Sequence, residues 1–136
     1  MNILVIDGQG GMLGSGLVKE ICANFENINI TAVGTNAVAT AAMLKAGAKV
    51  GATGENPVIV AARTADIIVG PIGILAADSM LGEVTPAMAT AVGQSSAIKL
   101  LLPVNLCHNI VVGTQDLSLS AVLDEAVATL QRLLTK

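Results

Sequence analysis

With 136 residues, 53% of them hydrophobic and 12% charged, the chain can bury a continuous core without staples, since a domain this size hides roughly two thirds of its unfolded surface. Seven Lys and Arg against ten Asp and Glu give a formal charge of −3, and the basic residues never cluster, which excludes a footprint for a nucleic-acid backbone or an anionic membrane. One aromatic residue, Phe25, leaves no stacking platform for single strands, and two cysteines, Cys22 and Cys107, are too few for a disulfide framework.

Taken in chain order, short β-branched runs alternate with helical patterns, which predicts an α/β domain over residues 1–136. The first run, residues 3–6, ends at Asp7 and enters a glycine-rich turn. Leu13, Leu17, Val18, Ile21, Cys22 and Phe25 then recur on one face of a helix. A second strand follows at 28–33, and Asn36 caps a small-residue helix that stops at Gly47. A weak strand is expected near Val50, a short helix at Asn56-Pro57 by the N-cap and N1 rule, and a strand at 67–69. Thr85-Pro86 opens another helix, residues 98–102 form a fifth strand, and residues 110–112 are read as a sixth. The connection between the last two is too short for a helical crossover, so the sixth strand is expected to be antiparallel or a continuation. A stripe from Leu119 to Leu134 ends the chain as the clearest helix.

Continuous apolar strands imply a sheet covered on both faces, in the Rossmann-like doubly wound order 3-2-1-4-5-6, with ligands at the switch point between the first and fourth strands. The sequence begins without a basic leader, and its longest apolar reach, 58–77, is broken by Arg63, Asp66 and Gly70-Pro71. A cytoplasmic protein is the expectation. The surplus of apolar residues predicts a homodimer or higher homo-oligomer, with the helix at 36–46 and the one after Pro86 as candidate interfaces.

The segment "IDGQGGMLGSG" carries the chemistry. Gly8, Gly10, Gly11 and Gly14 lie between a strand and a helix, where glycine permits tight turns and the helix N-terminus offers free N–H donors to a phosphate. The same spacing also serves a purely structural turn. Gln9, Met12 and Leu13 complete the candidate cradle, Thr35 and Asn36 follow the second strand, and Gly70, Pro71 and Ile72 follow the fourth. Glu55, Asn105 and His108 also fall near the carboxyl edge of the sheet. Asp7 is read chiefly as a carboxylate capping the glycine turn. Asp78 and Glu83 flank "SMLG" and offer acid/base or cation-ligand chemistry or an ordinary solvated loop. His108 is the single histidine and has no accompanying catalytic motif, and no ligand cluster for a metal appears. A Gly11→Glu substitution is expected to block the cradle and leave the fold intact.

"GQGGMLG" resembles the loop of dihydrodipicolinate reductase, a nicotinamide enzyme, and less closely that of short-chain dehydrogenases. "ITAVGTNAVATAAMLKAGA", "ATGEN" and "ADIIVGPIGI" resemble a small uncharacterised bacterial family of Rossmann-like proteins, classed as a domain of unknown function. The first resemblance implies NAD or NADP, yet Gly34-Thr35-Asn36 stands where a dinucleotide site places its ribose-binding acid. The functional expectation is a nucleotide- or phosphate-metabolite-binding module acting as a sensor or accessory subunit. The alternatives are a small NAD(P)-dependent oxidoreductase or transferase completed by a homo-oligomer, and a purely structural interaction protein.

Overall fold

The computed structural model describes residues 1–104, 106–114 and 116–136. Strands β1 (Asn2–Asp7), β2 (Asn29–Gly34), β3 (Val50–Thr53), β4 (Ile67–Pro71) and β5 (Ile98–Leu102) form one parallel sheet in the order 3-2-1-4-5. Helices α1 (Met12–Asn24), α2 (Ala37–Ala46), α3 (Glu55–Ala62), α4 (Pro86–Gln94) and α5 (Leu119–Leu134) connect and cover it.

The pleat of β1 divides two cores. Ile3 and Val5 face Leu17, Val18 and Ile21 of α1, Met43 of α2, and Val122, Ala126 and Leu130 of α5. Leu4 and Ile6 point the other way, toward Val58 of α3 and Met88 and Val92 of α4. Because both faces of the strand are buried, its sequence must be apolar throughout, which is why β1 shows no polar alternation. Crossovers on opposite faces meet at the boundary between β1 and β4, so the switch point lies beyond Asp7 and Pro71.

Local sequence explains most helix ends. Asn36 accepts from Ala39 N–H at 2.9 Å and Thr85 from Met88 N–H at 3.2 Å, both standard N-cap bonds. The expected cap at Asn56 is wrong by two residues: α3 starts after Gly54, whose φ of 105° no residue with a side chain readily adopts. Cys22 lies at the rim of the α1 stripe and is exposed.

The sixth strand is not formed. Left-handed φ values at Cys107 and His108 turn the chain after β5, and Ile110 and Val112 are 89% and 94% exposed. β-branched composition supplied the expectation, but the left-handed turn at Cys107 and His108 carries the segment away from the outer edge of β5, which pairs with β4 alone among the described residues. No helix of the described residues is long and apolar enough to cross a membrane.

Candidate functional site

The turn after β1 is organised first by its own carboxylate. Asp7, 1% exposed, accepts from Gly8 N–H at 2.8 Å and from Gly14 N–H at 2.6 Å, while Thr35 N–H donates to its main-chain oxygen. Burial raises the Asp7 pKa, the Gly14 and Gly8 bonds draw it partly back, and the neighbouring Glu83 carboxylate adds to the rise. Asp7 therefore takes two of the donors that a phosphate would use.

Glu83 takes a third. It reaches over from the segment between β4 and α4, and its Oε1 accepts from Gln9 N–H at 2.8 Å, Thr35 Oγ1 at 2.7 Å and Asn36 Nδ2 at 2.6 Å. Asn36 Nδ2 also donates to the Gln9 carbonyl at 2.9 Å. Desolvation pushes the Glu83 pKa upward, but the bonds from Gln9, Thr35 and Asn36 outweigh it and hold the carboxyl below its ordinary range. Glu83 is thus an ionised, bonded member of the turn rather than a solvated loop residue. Its partners lie 74, 48 and 47 positions away, so no local spacing connects them.

The four glycines separate by steric cause. A Cβ on Gly8 would lie 2.5 Å from Thr35 Oγ1, and one on Gly14 would lie 2.6 Å from Met43 Sδ and 2.7 Å from Asp7 Cβ. Gly11 holds φ 74°, and its Cβ would meet the Ala39 Cα at 2.7 Å. These three are glycine because the chain packs against itself. Gly10 differs: a Cβ there meets nothing within 4 Å, and its φ is not left-handed. The Gly11→Glu expectation is accordingly corrected, because backbone of α2 occupies the space and the substitution strikes the fold itself.

Donors remain. Among the described residues, the N–H groups of Gly10, Met12 and Leu13 have no hydrogen-bond partner, leaving three amides at the start of α1. The Met12 side chain is exposed, and that of Leu13 is buried in the core, so Leu13 offers its main chain alone.

A cavity of about 560 Å³ opens beside this turn, between Gln9, residues 76–81 and residues 107–109. Seven described non-glycine residues adopt left-handed φ, and six of them line this cavity: Gln9, Asp78, Met80, Leu81, Cys107 and His108. Such backbone costs on the order of 1 kcal/mol or more per residue and gathers where function or packing imposes it. Cys107 Sγ accepts from Met80 N–H at 3.4 Å, tying the two strained segments together.

The remaining candidates disperse. Gly70 and Pro71 are buried within β4, and the half-buried Ile72 opens a 3-10 turn; the cavity wall beyond β4 comes instead from residues 76–81. Glu55 accepts from Thr85 Oγ1 and joins α3 to the start of α4. Asn105 lies outside the described residues. Among those described, no three His, Cys, Asp or Glu side chains group as metal ligands.

No curated protein matches the chain. Among solved structures it is similar to a dodecameric FMN-dependent Ubix-like decarboxylase from Escherichia coli O157:H7, at 11% identity over 98% of this chain and 94% of that one, with a TM-score of 0.45. The model of one family spans residues 2–135, and by that match the chain belongs to the domain of unknown function DUF3842.

Proposed function

We propose that this domain is a binding module for a small phosphate-bearing metabolite, held in the switch-point cavity with its phosphate against the N–H groups of Gly10, Met12 and Leu13. The observation that carries the reading is Gly10. It is the one glycine of the turn with no internal steric or conformational reason to lack a side chain, and it borders the open amides. Glycine at such a point admits a ligand close to the main chain. The strained walls of the adjoining cavity support the same reading, since backbone of this kind concentrates at ligand sites.

Asp7 and Glu83 limit what the turn accepts. They fill the amides of Gly8, Gln9 and Gly14, so the cradle is reduced to a patch suited to one phosphate group. A dinucleotide pyrophosphate would meet two carboxylates instead of a full ring of donors. This favours a single phosphate over NAD or NADP, and a sensor or accessory role over hydride transfer.

Gly10→Leu tests the proposal. Its side chain has space in the free protein but would cover the amide patch. Calorimetric titration with ribose 5-phosphate should show binding to the wild type and none to the variant, with the variant unfolding at no lower temperature than wild type in the absence of ligand. Equal binding by a folded Gly10→Leu protein would refute the proposed cradle.

A further inference from the structure

β5 forms one outer edge of the sheet and pairs with β4 alone among the described residues. Ile98 N–H donates to Asp66 O on the β4 side, so by the alternation of a parallel ladder Ile98, Leu100 and Leu102 address β4, while Lys99 and Leu101 turn their N–H and C=O groups outward. No other described main-chain group bonds to those of Lys99 and Leu101. The same edge borders a groove of about 430 Å³ between Leu100, Leu102, Leu117, Val122 and Ala126. Its one charged lining residue, Glu125, is already paired with Arg132 at 3.4 Å. A lysine commonly guards such an edge, but the Lys99 ammonium turns back onto the Ser95 carbonyl of its own chain.

The apolar surface here is large enough to matter. Five of the thirteen exposed large hydrophobic residues among those described, Ile98, Ile110, Val112, Leu117 and Leu119, fall between β5 and the first residue of α5. Their exposed fractions amount to about three whole side chains, or about 200–400 Å² of apolar area per copy. A specific interface must clear roughly 500 Å² per partner, and the open strand edge with the half-buried Leu100, Leu101 and Pro103 adds the remainder.

A two-fold axis normal to a sheet sets an edge strand antiparallel to its own copy, so an open apolar edge is its own complement. The register follows from the residues. Centring on Lys99 would set two lysines directly opposite each other, and centring on Leu101 would set Lys99 opposite Pro103, which has no N–H to give. Centring on Leu100 pairs Lys99 of each copy with Leu101 of the other and occupies the outward groups of both. We infer that a second copy of this chain docks on β5 in that register, joining two five-stranded sheets edge to edge and bringing Ile98 of each copy beside the groove of the other.

Cross-linking tests the register. With Cys22→Ser and Cys107→Ser removing the two exposed thiols, Leu100→Cys puts its two copies opposite each other at a Cα separation of about 4.5 Å, within disulfide reach. Ile98→Cys in the same background is the control, because its two copies would stand about 14 Å apart along the strands. Mild oxidation should convert the Leu100→Cys protein to a species of twice the 13.6 kDa chain and leave the Ile98→Cys protein single. Lys99→Pro removes an N–H that only the second copy would use, at an edge position where proline is tolerated. In sedimentation it should weaken self-association about tenfold or more, with circular dichroism reporting an intact fold. Should Lys99→Pro fail to fold, the cysteine pair decides alone. Equal cross-linking at both positions, or none at Leu100→Cys, overturns the inference. Association that survives a folded Lys99→Pro but is lost in Val38→Asp places the contact on α2 and also overturns it. A monomeric wild type leaves the edge to some other occupant and overturns it as well.

Discussion

An alanine scan of the turn separates glycines required by the fold from the one that is not. At Gly11 the backbone sits at φ 74°, which costs a residue with a Cβ about 1–2 kcal/mol. The new methyl also meets the α2 main chain at 2.7 Å, an overpacking of about 1–3 kcal/mol that no side-chain rotation relieves. Gly11→Ala should therefore lose about 2–5 kcal/mol. At Gly14 the Met43 thioether can move but Asp7 Cβ, on β1, cannot, and at Gly8 the obstacles are the side chains of Thr35 and Met80. Each of these should lose about 1–3 kcal/mol. Gly10→Ala meets no atom and no conformational penalty and restricts the unfolded chain, so it should gain about 0.4–1 kcal/mol. Urea denaturation of the four variants measures the order directly, provided the slopes agree with wild type. A Gly10→Ala loss as large as that of Gly11→Ala would refute the steric assignment, and with it the ground for placing a ligand at Gly10.

Asn36→Ala removes both the cap of α2 and the bridge to Gln9 and Glu83, so denaturation should show a loss of about 1–2 kcal/mol, with the Gln9 amide resonance displaced. Asp7 has a folded-state pKa raised above its ordinary value, so its contribution to stability is present at low pH and is lost as pH rises through the folded value. Asp7→Asn removes that titration. The stability of wild type relative to the variant should fall as pH climbs from about 4 toward neutrality, and a difference that stays flat would contradict the assignment. Val38 and Leu44 of α2 are 66% and 41% exposed, consistent in chemistry with an apolar face for association. Sedimentation at micromolar protein is expected to give at least twice the mass of one chain, and a monodisperse monomer would remove the claim.

The sheet order was legible because the central strands of a doubly wound fold must be apolar on both faces, and runs such as 3–6 and 67–69 carry that demand in contiguous residues. Caps were legible for a similar reason: Asn36 and Thr85 act on amides three positions away. The sixth strand was not, since Ile110 and Val112 have strand composition but the turn at Cys107 and His108 leads them away from the edge of β5. The site was half legible. The glycine spacing located the turn, but which glycine serves packing depends on Ala39, Met43 and Met80, whose approach is set by tertiary structure. Glu83 was visible as a residue and invisible as a member of the turn, because the contact that defines it spans the switch point.

The distribution of charge bears on the proposed ligand. Asp7, Glu55, Asp78 and Glu83 all stand at the carboxyl edge, after β1, β3 and β4. The seven basic residues stand elsewhere. Lys19 lies in the second half of α1, Lys45 and Lys49 between α2 and β3, Arg63 at the end of α3, Lys99 early in β5, and Arg132 and Lys136 at the end of α5. Parallel strands with returning helices put those positions toward the amino edge or on the flanks, away from the cavity mouth. A polyphosphate normally needs arginine, lysine or a metal ion to balance its charge in addition to main-chain amides, and the carboxyl edge supplies four acids instead. On the proposed reading, one phosphate on three amides is the largest anionic group this arrangement favours. The acidic edge thus counts against a dinucleotide pyrophosphate at the glycine turn and leaves a single phosphate as the proposed occupant.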